Sequence, residues 1–84
     1  MKIRLRYFAS VREKLGVSEE WVILPDDIET VDGVRLFLMK RGGVWSDVLS
    51  AGQLKTACQL QMARPDTKVT EGCEVAFFPP VTGG

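Results

Sequence analysis

The feature that most constrains the fold is the position of the two most apolar strand patterns, which lie at opposite ends of the chain. Residues 2–8 alternate strictly between two faces, and residues 73–78 form a second apolar run just before two prolines. Strict alternation predicts a half-buried β-strand. Because both strands need a buried face, we predict that they lie side by side at the centre of one sheet. A helical connection allows them to run parallel.

Between these two strands, the sequence predicts one main helix. Residues 31–41 have apolar side chains at helical spacing, with Thr30 as the N-cap. Residues 20–24 predict a second strand, which Pro25 ends. The remaining predicted elements are a short helix or turn at 9–15 closed by Gly16, a loop at 44–53 with at most one helical turn at Val48 and Leu49, a third strand at 55–62 and a very short edge strand at 68–69.

One helix packed on a four- or five-stranded sheet is an α+β fold with two layers. With the first and last strands central and parallel, the arrangement is that of the β-grasp, or ubiquitin-like, fold. The 84 residues are enough for one domain, which we predict over residues 1–78, followed by an extended tail over residues 79–84. A single helix covers only one face of the sheet, so the other face meets solvent or a partner.

The period of two along a strand assigns side chains to these faces. If Leu5, Tyr7 and Phe77 face the helix, Arg6 and Glu74 lie on the open face. On adjacent strands these two residues are placed to form an ion pair.

The same rule leaves Phe8 and Phe78 on the open face. Exposed aromatic side chains on an uncovered face usually mark a binding surface. The alternative is that a loop folds over them. The two tryptophans, Trp21 and Trp45, are interpreted as packing residues.

Composition excludes several classes of function. Lys and Arg total 11, as do Asp and Glu, and this zero net charge argues against a nucleic-acid binder. Histidine is absent and the two cysteines, Cys58 and Cys73, form no Cys-x-x-Cys motif, so we expect no metal site and two free, packed thiols. No apolar run approaches the ~20 residues of a membrane span, and no signal-peptide pattern begins the sequence. We therefore expect a cytoplasmic protein with no membrane partner.

The tail at residues 79–84 is the feature that most suggests a function. Pro79 and Pro80 stiffen its start into an extended path. Gly83 and Gly84 make its end thin, with a free carboxylate. The extended tail reaches roughly 20 Å, which suits insertion into a narrow tunnel of another protein. The alternative is a frayed terminus.

A terminal carboxylate reacts only after activation, most simply as an acyl adenylate made from ATP. The sequence contains no Gly-rich phosphate-binding motif and no evident nucleophile–base pair. We therefore predict a substrate or carrier on which partner enzymes act.

Two segments resemble a known family. Residues 74–84, Glu-Val-Ala-Phe-Phe-Pro-Pro-Val-Thr-Gly-Gly, resemble residue for residue the carboxy terminus of the small subunits of molybdopterin synthase, which are ubiquitin-like sulfur carriers. Residues 7–13 with Gly16 resemble the family's first strand and following helix. The resemblance spans essentially the whole chain. One departure is Gln59, where the family often has Asn.

The resemblance implies a sulfur cycle centred on Gly84. An E1-like adenylating enzyme would use ATP to adenylate Gly84, and a persulfide sulfur donor would convert the adenylate to a thiocarboxylate. The tail would then enter the large subunit of the synthase and pass sulfur to cyclic pyranopterin monophosphate (precursor Z), building the dithiolene of molybdopterin. Catalysis and pterin binding would belong to the large subunit, in a heterotetramer of two small and two large subunits. This chain would bind no cofactor itself.

The resemblance also implies which residues act. Phe8, Phe78 and Arg12 match positions that the family uses against its partners. The tail positions that would thread into a partner, behind the reactive Gly84, are Pro79, Pro80, Val81, Thr82 and Gly83.

Three other functions are compatible with the sequence. The chain could modify proteins through Gly84, carry sulfur for thiamine synthesis, or act as a binding module whose open face is the active part. A plant-type ferredoxin, which shares the β-grasp fold, is excluded because two cysteines cannot hold its cluster.

Overall fold

The computed structural model describes residues 1–80. It contains a five-stranded mixed sheet of order β2-β1-β5-β3-β4. Strands β1 and β5 are parallel neighbours inside the sheet, and the other pairs are antiparallel. The elements are β1 Lys2–Tyr7, α1 Ala9–Leu15, β2 Glu19–Ile23, α2 Val31–Met39, α3 Val44–Leu49, β3 Lys55–Cys58, β4 Gln61–Met62 and β5 Glu74–Phe78.

This topology confirms the predicted α+β architecture, with the first and last strands adjacent and parallel. The core lies between the central strands and the helices, because β1 and β5 supply apolar side chains at every second position. The side chains with no exposure at all are Ile3, Leu5, Val34, Leu38, Leu49, Val75 and Phe77.

Helix α2 begins where the sequence predicts and ends two residues earlier. The Thr30 hydroxyl accepts a hydrogen bond from the Gly33 N–H at 3.1 Å, which confirms the N-cap. At the other end, the Arg41 N–H bonds to the Leu38 carbonyl and the Gly42 N–H to the Met39 carbonyl, at 3.1 and 3.0 Å. These i→i+3 bonds tighten the last turn, so the helix ends at Met39.

Three segments differ from the sequence predictions. Residues 44–49 form helix α3 inside the predicted loop. The predicted third strand at 55–62 is a hairpin, because Gln59 and Leu60 have φ of 53° and 67° and reverse the chain between β3 and β4. The predicted edge strand at 68–69 is reduced to one bridge from Lys68 to Thr30.

The structure also bears on the predictions about the thiols, the membrane and the tail. Cys58 and Cys73 are both free, as expected, and Cys73 is buried. No helix within residues 1–80 is both long and apolar enough to cross a membrane. Val81, Thr82, Gly83 and Gly84 lie outside the described residues, so the division at residue 78 and the threading of the tail stay predictions.

Candidate functional site

The open face of the sheet carries a ladder of alternating charges across β2, β1 and β5. The Arg6 guanidinium lies 3.6 Å from the Glu74 carboxylate, which confirms the predicted pair, and 3.8 Å from Glu19. Arg4 also pairs with Glu19, and its Nε–H donates a hydrogen bond to the Glu19 carboxylate at 3.0 Å. The Arg4 hydrogen bond lowers the pKa of the Glu19 carboxyl below its usual range. Exposed pairs of this kind add little stability but hold each other's side chains in place.

Phe8 and Phe78 lie together at one end of this face. Because β1 and β5 run parallel with Tyr7 opposite Phe77, the residue that follows β1, Phe8, and the last residue of β5, Phe78, lie at the same end of the sheet. The Phe8 N–H donates to the Phe77 carbonyl at 3.1 Å, which ties the two strand ends together. Phe8 is 37% exposed, as predicted, and the Arg6 guanidinium lies 5.1 Å from its ring centre. Phe78 is partly buried.

The apolar surface extends from these rings onto β3 and β4. Ala57 pairs with Ala76 on one side and with Met62 on the other, so the three side chains share the open face. Met62 is 67% exposed. We call this surface the docking face; its members are Phe8, Ala57, Met62, Ala76 and Phe78.

Sequence reasoning missed Met62 because it treated residues 55–62 as one uninterrupted strand, with no hairpin to bring Met62 beside Ala57. The turn at Gln59 and Leu60 contains none of the usual turn residues. The available signal was the resemblance, which implies an Asn at the position of Gln59, and Asn tolerates positive φ.

Gln59 stabilises this turn against β5. Its N–H donates to the Glu74 carbonyl at 2.9 Å, and its side-chain Oε1 accepts from the Glu74 N–H at 2.8 Å. Both backbone groups of Glu74 are therefore held by one residue, which fixes the hairpin that carries Met62.

The start of the tail lies between the docking face and two helices. Pro79 and Pro80 are partly buried and border a groove of about 410 Å³ between α1 and α3. Its helix-side lining includes Ser10, Val11 and Lys14 from α1 and Val44, Asp47 and Val48 from α3.

Arg12 lies close to this region on α1. Its side chain is exposed, and its backbone N–H donates to the Phe8 carbonyl at 3.3 Å. The structure thus places Arg12 one helical turn from Phe8, although its role against a partner stays a prediction.

A partly buried cluster supports the docking face from the helix side. The Tyr7 ring stacks on Phe77 with centroids 6.1 Å apart and meets Trp45 edge-on at 5.6 Å. The Tyr7 hydroxyl donates to Glu20 at 2.9 Å, and Arg41 donates to both Glu20 oxygens at 2.9 Å. These contacts hold rigid the strand ends from which Phe8 and Phe78 extend.

The charges in this cluster shift its ionisations. The Arg41 hydrogen bond lowers the pKa of Glu20 below its usual range despite partial burial. Burial, and then the bond to Glu20, raises the pKa of the Tyr7 hydroxyl.

The two tryptophans have different surroundings. Trp45 packs against Tyr7 and lies under the Arg41 guanidinium at 4.3 Å, which confirms the packing interpretation. For Trp21 that interpretation is wrong, because its side chain is 54% exposed on the open face of β2, with Lys2 Nζ 5.3 Å from its ring centre.

Known proteins resemble this chain over its full length. It is 38% identical over 82 residues to the molybdopterin synthase sulfur carrier subunit of Haemophilus influenzae, covering 98% of this chain and 99% of that protein.

Two solved structures share its fold. One is SAMP1 from Haloferax volcanii, with a TM-score of 0.79 and 22% identity; the other is the complex of subunits 1 and 2 of molybdopterin-converting factor from Helicobacter pylori, with a TM-score of 0.69 and 18% identity. Each match covers both chains in full. These likenesses confirm the ubiquitin-like β-grasp fold. The model of the ThiS family matches residues 5–84, and the chain therefore belongs to the ThiS family.

Proposed function

We propose that this chain is the sulfur-carrier small subunit of a molybdopterin synthase. The observation that carries the proposal is its 38% identity, over nearly its full length, to a protein named for that role. The geometry adds support, because the docking face adjoins Pro79, where the tail begins.

The proposed chemistry takes place at Gly84, with every catalyst supplied by a partner. The carboxylate attacks the α-phosphate of ATP on an E1-like enzyme, releasing pyrophosphate and forming an acyl adenylate. A persulfide sulfur then displaces AMP, and a thiol cleaves the resulting acyl disulfide to leave a thiocarboxylate. In the large subunit, this sulfur transfers to precursor Z, and hydrolysis returns the carboxylate. We place this cycle in the cytoplasm, where ATP and persulfide donors are present.

The large subunit is the proposed docking partner. A related subunit 1 forms a complex with subunit 2 of molybdopterin-converting factor in Helicobacter pylori. Apolar contact on Phe8, Met62 and Phe78 would supply affinity, while the cluster behind them keeps the surface in one shape. A partner seated there is positioned to receive the tail beyond Pro80. Because the activating enzyme needs the same tail, we propose that the two partners use the docking face in turn.

The test is the intact mass of the chain after incubation with the adenylating enzyme, ATP and a persulfide donor. We expect one oxygen to be replaced by sulfur at the carboxy terminus, and we expect no such change in a chain lacking Gly84. The charged chain should then convert precursor Z to molybdopterin when the large subunit is added. A free acid under full activating conditions would overturn the proposal. Isopeptide adducts on lysines of other proteins would favour a protein modifier in its place.

A further inference from the structure

A second exposed apolar region lies on the open face, away from the docking face. Trp21 and Ile23 on β2 are 54% and 77% exposed. Residue pairing places Ile23 beside Lys2, at the opposite end of β1 from Phe8. The proposed sulfur cycle makes no use of these side chains.

The strand that carries them is an edge strand. Within residues 1–80, no strand lies beyond β2 in the sheet order. The Tyr7 N–H donates to the Ser18 carbonyl at 2.9 Å, and the Leu24 N–H to the Met1 carbonyl at 2.7 Å. In an antiparallel pair the bonded positions alternate, so the residues of β2 that bond to β1 are Glu20 and Val22.

The backbone groups of the other three residues, Glu19, Trp21 and Ile23, therefore point outward. Their side chains all lie on the open face, opposite Arg6, Arg4 and Lys2 respectively. An exposed edge with large apolar side chains is a template for pairing with another strand. Natural edges are usually protected by charged side chains, proline or a bulge. Strand β2 has no proline, and its two charged side chains are already engaged within the chain, Glu19 with Arg4 and Arg6 and Glu20 with Tyr7 and Arg41.

We propose that β2 pairs with the β2 of a second copy of this chain, antiparallel and with Trp21 at the two-fold axis. This register matches Trp21 with Trp21 of the other copy and Glu19 with Ile23 of the other copy. All three outward residues of each chain then bond to outward residues of its partner. A register centred on Glu19 would set two carboxylates opposite each other, which is destabilising. A register centred on Val22 would set Glu19 opposite Pro25, which has no N–H to donate.

Charge complementarity favours the same register. Each Glu19 carboxylate already lies beside Arg4 and Arg6 of its own chain. In this register Glu19 lies opposite Ile23 of the other chain, and the next residue across the sheet is Lys2 of that chain. No like charges are directly opposed along the new pair. The aromatic pair at the axis adds a favourable cross-strand contact to the backbone bonding.

The contact is small, since it joins two strands of five residues each. It buries less than the ~800 Å² per partner of a standard stable interface, so we expect a weak dimer with a Kd of about 10⁻⁴ to 10⁻³ M. Because the two-fold axis lies at β2, it leaves both docking faces uncovered at the end of β1 and on β5, β3 and β4. The dimer is thus compatible with the proposed function and does not depend on it.

The first test is sedimentation equilibrium of the full chain up to millimolar concentration, with amide hydrogen exchange at each concentration. We expect a monomer–dimer equilibrium. Exchange at the outward N–H groups of Glu19, Trp21 and Ile23 should slow as concentration rises, while exchange at Val22 stays unchanged. A chain that remains monomeric throughout would overturn the proposal. So would a dimer in which exchange at these three amides is unaffected.

A charge swap at the axis tests the register. Trp21→Glu and Trp21→Lys each place like charges opposite each other, so each variant alone should lose at least tenfold in dimer affinity. Mixing the two variants pairs opposite charges and should restore association between them. Leu60→Glu, at an 88% exposed position away from β2, is the matched control and should dimerise normally. Because Trp21 is largely exposed, circular dichroism should show that both variants are folded.

The outcomes separate a second copy from another occupant of the edge. If neither variant weakens association, or if the mixture does not associate, the register is wrong and the proposal fails. Protection of the outward amides only after the large subunit is added would assign the edge to that partner and would equally overturn self-pairing.

Discussion

The two faces of the sheet differ most clearly where neighbouring residues of the same type point to opposite sides. Phe77 is fully buried against the helices, while Phe78 lies partly exposed on the open face. Glu20 is held inside the Tyr7–Arg41 cluster, while Glu19 pairs with Arg4 at the surface. Each pair has the same chemistry in two environments. The comparison shows that the side chains on the helix-covered face form the core. Those on the open face remain accessible to other molecules.

The largest expected effect separates the two phenylalanines. Phe77→Ala leaves a cavity in the core and should lower the free energy of unfolding by about 3–5 kcal/mol. Phe78→Ala removes a partly exposed ring and should cost less than about 1.5 kcal/mol. Urea unfolding followed by circular dichroism measures both. Equal losses would mean that the two faces contribute alike to the core.

The next effect concerns docking without loss of stability. Phe8→Glu places a charge within an apolar contact, and we expect at least ~30-fold weaker binding to the large subunit, since a central interface residue contributes about 2 kcal/mol or more. The backbone bonds of Phe8 do not involve its side chain, so the fold should persist. Leu36→Glu, exposed on α2 away from the docking face, is the matched control. Isothermal titration calorimetry that shows the same affinity for both variants would remove Phe8 from the interface.

A smaller difference in unfolding free energy is expected between variants of Glu20 and Glu19. Glu20→Ala leaves the buried Tyr7 hydroxyl and the Arg41 guanidinium without their acceptor, and should cost about 1–3 kcal/mol of unfolding free energy. Glu19→Ala removes a screened surface pair and should leave the urea midpoint unchanged within error. If Glu19→Ala proved as costly as Glu20→Ala, the charge ladder on the open face would be a structural element.

The same cluster makes stability depend on pH at both ends of the range. The pKa of Glu20 is depressed below its ordinary 4.5, so its contribution is present above that pH and is lost as the pH falls below it. The pKa of Tyr7 is raised above its ordinary 10.0, so its contribution is present below pH 10.0 and is lost at higher pH. Thermal melts across the range should show a plateau between about pH 5 and 9. Glu20→Ala should flatten the acid limb, and an unchanged limb would assign the slope to other carboxyls.

The smallest effect tests the hairpin that brings Met62 to the open face. Gln59→Ala loses the side-chain bond to Glu74 and retains the positive φ, and should cost about 1 kcal/mol. Gln59→Gly loses the same bond but relieves the left-handed backbone, so it should be more stable than the alanine variant by ~1 kcal/mol. Urea unfolding of the two variants side by side gives this difference directly. Alanine and glycine variants of equal stability would show that φ at Gln59 carries no cost.

The central part of the fold could be predicted from the sequence because it rests on strict alternation. The same period that buries Leu5 and Phe77 places Arg6 beside Glu74, so topology, face and ion pair follow together. The exposed position of Phe8, just beyond the end of β1, follows from the same alternation.

Helix α3 and the turn between β3 and β4 were harder to predict, because they depend on contacts with residues that are distant in the sequence. Helix α3 is short, and Gly43 supplies no side-chain cap, so no local signal marks its start. The turn at Gln59 and Leu60 adopts positive φ without a turn residue, held by bonds to Glu74 that lie far away in sequence. The packing interpretation of Trp21 relied on the size of its side chain. The alternation along β2 instead places Val22 on the buried face and Trp21 on the open face. The roles of Gly83 and Gly84 are implied by the resemblance alone, and the intact-mass measurement tests that of Gly84.

The parallel pairing of β1 with β5 also affects how the protein is made. Strand β5 lies between β1 and β3, although it follows both in the sequence, so the sheet has a gap in its interior until residues 74–78 have been made. Folding through such distant contacts is comparatively slow. The docking face needs side chains from both ends of the chain and forms only when β5 is in place. Formation of the docking face is thus coupled to completion of the central sheet, so a molecule that lacks β5 also lacks this surface.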